Sequence, residues 1–138
     1  MSQEQNTFVK NFRDSTDIIE ETYEFMLAYA AQGRIDEDPS SSPNIRELLE
    51  NTKISLEKII NNFEFDNENL ALIFSNEFSQ FFNQLLHDAE KTMKIINLVL
   101  SCRPITSQLV DNINASIHIR TLLTDIFLVD EYLKTKNF

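Results

Sequence analysis

Few residues of this chain have the type and spacing that chemistry needs. It has two histidines, His87 and His118, and a single cysteine, Cys102. A di-iron carboxylate site in a helical bundle takes two Glu-x-x-His pairs and further glutamates from facing helices. Gln84-x-x-His87 has that spacing but carries an amide where the first carboxylate ligand should stand. A phosphorelay histidine asks for Lys three positions on and then a small residue, and His87 is followed there by Glu90 and Lys91. Arg103 beside Cys102 would favour the thiolate, yet no second cysteine exists to form a disulfide. Nothing in the spacing of Ser, His and Asp resembles a nucleophilic triad. One glycine, Gly33, cannot build a phosphate-cradling loop. His118 and Arg120 would suit an anion, or would lie along the edge of a core with their polar tips in water, which is the reading preferred. The expectation is therefore a non-enzymatic protein with no cofactor and no metal.

What remains is charge and apolar surface. Asp14, Asp17, Glu21 and Glu24 recur at helical spacing and make an acidic face. That pattern is either a solvated face or a contact for a basic partner. Asp36, Glu37 and Asp38 add a second acidic cluster. The formal net charge is −10, from 22 acidic against 12 basic residues. That balance disfavours nucleic acid and anionic membranes, because phosphates are held by clustered Lys and Arg. It suits a basic protein partner.

The elements that must position these residues read as helices. At 138 residues the chain is expected to be one domain, and one Gly with three Pro leaves few turn signals. In Leu70–Leu100 an apolar stripe runs through Phe74, Phe78, Phe81, Phe82, Leu85, Leu86, Ala89, Met93, Ile96, Val99 and Leu100. Asn76, Gln80, Asn83, His87, Glu90, Lys91 and Lys94 stand opposite. Asp66 is the expected N-cap and Pro104 the expected stop, a kink at Pro104 being the alternative. Ile95 and Leu98 point off the stripe and call for cover.

Four helices are expected, about 6–32, 43–62, 67–101 and 105–133, folded as an all-α antiparallel up-down-up-down bundle. Residues 1–5 should fray. Gly33 should close the first helix in the left-handed conformation. Residues 34–42 read as a flexible acidic and Ser-Pro loop, with Ser42 capping the second helix and Pro43 at its first position. Ile54 should face outward, and Phe63 and Phe65 should tuck under the bundle. In the last helix Ile105, Leu109, Val110, Ile113 and Ile117 face inward at first, then Ile119, Leu122, Leu123, Ile126, Val129 and Leu133. The change of face near Ser116–Ile119 implies a new packing partner, a local irregularity or a second buried surface.

The third helix should outreach the second by roughly 15–20 Å, at about 1.5 Å per residue. The predicted partner-binding surface lies at that end: Ile35, Asp36, Glu37, Asp38, Ile95 and Leu98. The occupant would be another protein or a second copy of this chain, giving a homodimer. The alternative is a pocket for a small apolar ligand lined by Phe74, Phe78, Phe81 and Phe82. Met1–Lys10 has no apolar leader core, no apolar run reaches the ~20 residues of a membrane span, and Cys102 stands alone. A cytoplasmic setting is expected on those grounds.

Overall fold

Short polar residues that cap helices set the boundaries of this molecule. The computed structural model describes residues 2–63 and 67–138, and the side chains of 62–68 are outside that description. The described residues form helices, turns and loops without a strand. The helices are α1 (Gln3–Ala30), α2 (Ile45–Phe63), α3 (Asn67–Ile73), α4 (Asn76–Leu100), α5 (Ser107–Asn114) and α6 (Ile117–Thr135).

Helix α1 begins earlier than expected because Ser2 and Gln5 form a reciprocal cap. The Ser2 hydroxyl accepts from the Gln5 N–H at 3.1 Å. The Gln5 side chain accepts from the Ser2 N–H at 3.2 Å. The Gln5 amide also donates to the Ile73 carbonyl, tying this segment, expected to fray, to the end of α3. Gly33 has a φ of 64°, the left-handed conformation predicted for it. Helix α2 starts at Ile45. Its first turn is capped by Asn44, whose Oδ1 accepts from the Glu47 N–H at 2.9 Å, and this replaces the Ser42–Pro43 start.

The two long helices expected in the second half of the chain are each divided. Ser75 is extended (φ −164°, ψ 164°) and accepts from the Phe78 N–H, so α3 and α4 are separate. Ser116 does the same for α6 with the His118 N–H, while Thr106 opens α5. The face change near Ser116 is thus a helix break. Ile117, expected inward, is the first residue of α6 and is 71% exposed. Pro104 lies between α4 and α5, and α4 stops at Leu100 instead of kinking through. The expected Asp66 cap and the placement of Phe63 and Phe65 fall outside the described residues.

Helix α1 packs on α2 and α5, α2 on α4, and α4 on α3 and α6. The buried stripe contributes Phe12, Leu49, Leu56, Ile59, Phe82, Leu85, Ile96, Ile105, Leu122 and Ile126, all essentially without exposure. At one end the core is aromatic, with rings meeting edge to face and in offset stacks. Phe8 stands 5.2 Å from Phe82 and 5.4 Å from Phe74, ring centre to ring centre. Phe78 lies 4.7 Å from Tyr132 by the same measure.

Candidate functional site: the loop end of the molecule

The segment after α1 is acidic and short of apolar residues, so its place is set by polar bonds. At its start the Ser107 hydroxyl accepts from the Arg34 N–H at 2.8 Å and donates to the Tyr29 carbonyl at 2.7 Å. The Ser107 N–H returns a bond to the Arg34 carbonyl at 2.9 Å. The Tyr29 hydroxyl donates to the Ile105 carbonyl, and burial raises its pKa.

Three residues on, Glu37 turns inward. Arg46 Nε donates to its Oε2 at 2.9 Å and Nη2 to its Oε1 at 2.7 Å. This is a two-pronged ion pair, the geometry that suits a guanidinium and a carboxylate best. The Ile105 N–H donates to the same Oε1 at 2.9 Å. Arg46 also donates to the Leu100 carbonyl at 2.8 Å and to the Cys102 carbonyl at 2.7 Å. Those bonds satisfy acceptors that α4 leaves open at its end. The Arg46 bonds, with help from the Ile105 N–H, hold the Glu37 carboxyl below its usual range despite partial burial. The Arg46 guanidinium is pushed up in return.

Around this ion pair lies an open cleft of about 700 Å³, lined by Asp36, Glu37, Pro39, Asn44, Arg46, Glu47, Glu50, Arg103 and Pro104. Four carboxylates face two guanidiniums there. Glu37 and Arg46 cancel each other, leaving Asp36, Glu47 and Glu50 against Arg103.

The structure separates the residues predicted for this surface. Ile35 is 82% exposed and Leu98 68% exposed, as a docking surface requires. Asp36 and Asp38 are exposed or nearly so, and Asp38 accepts from the backbone and the hydroxyl of Ser40, bonds that lower its pKa. Ile95 is half-buried against the core, and Glu37 is committed to Arg46, so neither offers its side chain outward. Sequence reasoning missed Arg46, Glu47 and Glu50, and read Arg103 only as a neighbour of the Cys102 thiol. Glu47 and Glu50 were discoverable, since they stand one turn apart on the polar side of the α2 stripe.

The acidic face of α1 is present, with Asp14, Asp17, Glu21 and Glu24 exposed or partly so. Lys10 bonds Asp14 at 2.7 Å. Glu20 has its pKa raised by partial burial and then by Asp17, Asp130 and Glu24, a sign of crowded negative charge. Asp130, from α6, joins α1 through Arg13 at 3.0 Å.

The phenylalanines proposed to line a ligand pocket mainly fill space. Phe82 is fully buried, Phe78 is 4% exposed, and Phe74 lies 4.8 Å from Phe78. Phe81 is half-buried in a groove of about 230 Å³ with Glu77, Phe78, Leu128, Val129 and Tyr132. His87, His118 and Arg120 are exposed, and Gln84 donates to Asp88 at 3.3 Å. The half-buried Cys102 thiol reaches the Leu98 carbonyl at 3.5 Å. No family model, curated protein or solved structure matches this chain.

Proposed function

We propose that this protein is a non-enzymatic, cytoplasmic interaction module, a small acidic regulator, inhibitor, adaptor or chaperone, that receives a basic segment of another protein at its loop end. The observation that carries this reading is the cleft of about 700 Å³, whose uncancelled charges are three carboxylates and one guanidinium. Ile35 adjoins that lining in the chain, and Leu98 lies in the last turn of α4, whose carbonyl end Arg46 caps. Exposed apolar side chains together with an acidic cleft suit a partner helix or strand bearing Lys or Arg around one or two apolar side chains. The acidic face of α1, Asp14, Asp17, Glu21 and Glu24, is the secondary contact in this proposal.

The scaffold we propose for it is a four-rod up-down-up-down bundle, the third rod broken at Ser75 and the fourth at Ser116. Supporting it, neighbours pack in a closed cycle: α1 on α2, α2 on α4, α4 on α6, and α5 back on α1.

The test is capture of a partner by the wild type and by Leu98→Asp. The variant should bind at least tenfold less while its helicity by circular dichroism is unchanged. If helicity collapses, Leu98 belongs to the core and the proposal fails.

Self-association through the same end is the second reading, since Ile35 and Leu98 of two copies would cover each other. The acidic rims would then face one another and repel. Light scattering after size exclusion should return a monomer mass at low salt; a dimer mass would favour the second copy over a basic partner. The apolar-ligand alternative has less support. Ordinary ligand sites start at roughly 300 Å³, and the groove at Phe81 is smaller.

A further inference from the structure

Burying a carboxylate is costly unless a donor or a cation meets it. The core described here buries two, Asp88 on α4 and Asp125 on α6, each 6% exposed. These helices pack on each other, and the two carboxyls lie within hydrogen-bonding reach. Asp88 Oδ1 accepts from the neutral Gln84 amide at 3.3 Å, while Oδ2 of each aspartate meets no donor. Two ionised carboxylates placed this way would repel and leave both oxygens bare. One proton between them removes the repulsion and supplies the missing donor.

We propose that Asp88 and Asp125 share one proton across the α4–α6 seam, and that this proton is a latch holding α6 to α4. When the shared proton leaves for solvent, two negative charges remain face to face in a buried seam, and the seam weakens. Among the described residues no cation compensates. Helix α4 brings Asp88, α6 brings Asp125 itself, and among the described residues Asp88 is the charged neighbour that moves Asp125. Burial, the hydrogen bond to Asp88 and the Asp88 charge together push the Asp125 carboxyl up to about 7.

The direction of the effect follows from proton counting. An unfolded aspartate releases its proton near pH ~3.9, whereas the folded pair holds one to near neutrality. The folded state therefore binds more protons between those limits, and stability falls as pH rises through them. His87 and His118 are both exposed. They are common to wild type and variant, so comparing the two cancels them.

The test is chemical denaturation of the full chain from pH 5 to 8.5, for wild type and for Asp125→Asn. The amide N–H of the variant can donate to Asp88 and has no proton to lose. The wild-type midpoint should fall over this range and the variant's should stay nearly level, with the folded-to-unfolded ratio of the variant about tenfold or more above wild type at pH 8. An unchanged slope in the variant overturns the latch. Should Asp125→Asn fail to fold, carboxyl carbon resonances of the wild type decide alone. One aspartate of the pair titrating near neutrality supports the latch, and both titrating in the ordinary carboxylate range overturns it.

Discussion

Glu37 stands in a run of three acids, yet its side chain does not share their surface. Its carboxylate joins the loop to α2 through Arg46 and to the start of the last segment through the Ile105 N–H. Arg46 in turn caps the end of α4, so one ion pair fastens together parts of the chain that are far apart in sequence. Removing the guanidinium while keeping its bulk, as in Arg46→Met, leaves Glu37 with the Ile105 N–H alone and two carbonyls without their Arg46 donor. We expect a loss of about 2–4 kcal/mol by chemical denaturation. A loss below about 0.5 kcal/mol, the size of an ordinary surface change, would contradict the role given to this pair. The pH dependence has a definite sign. Glu37 is held below its usual range when folded, so its contribution is present above the unfolded pKa and is lost as pH falls through the folded one. Glu37→Gln should therefore flatten the acid limb of stability relative to wild type, and an unchanged acid limb would count against the assignment. None of this was legible from the sequence, because Glu37 and Arg46 sit in separate segments and nothing local distinguishes Glu37 from the acids beside it. The Asp88–Asp125 contact was hidden for the same reason.

At the scale of helices, the sequence was informative about faces, gave a hint of the break near Ser116 through a change of face, and was silent about the one at Ser75. The stripe predicted for Leu70–Leu100 is largely buried along α4, and Ile54, read as facing outward, is 49% exposed. Gly33 takes the left-handed conformation read for it. Ser75 went unread as a cap because the apolar rhythm runs on across the break, with Phe74 before it and Phe78 after it, whereas the break at Ser116 showed in the sequence only as a change of apolar face. A serine inside an apolar stripe looks like a tolerated polar residue, although its side chain competes for the backbone and favours a cap. Both caps are testable. Ser116→Ala should cost about 1 kcal/mol, and Ser116→Gly only a few tenths. Ser75→Ala should cost somewhat more, since the Ser75 hydroxyl also lies 3.3 Å from the Tyr132 hydroxyl. Denaturation midpoints read these differences, and a neutral Ser75→Ala would mean that α3 and α4 behave as one helix.

The whole molecule carries a net charge of −10, and among the described residues no helix is long and apolar enough to cross a membrane. That charge was legible from composition, but the cleft that concentrates it was not, because its walls come from the loop, α2 and the turn before α5. A basic partner drawn to such a surface should bind faster at low salt, and raising ionic strength past ~0.15 M should slow association more than it speeds release. Stopped-flow or surface-binding kinetics would show it; a salt-independent association rate would argue for an apolar contact alone. The most direct measurement is quantitative capture from lysate of the native host with four baits: wild type, Leu98→Asp, the pair Glu47→Arg with Glu50→Arg, and Phe127→Asp. Phe127 is 62% exposed on α6 and lines none of the cleft. The account predicts a Lys- or Arg-rich partner retained by wild type and Phe127→Asp and lost with the other two. Equal capture by all four, or loss only with Phe127→Asp, would contradict it.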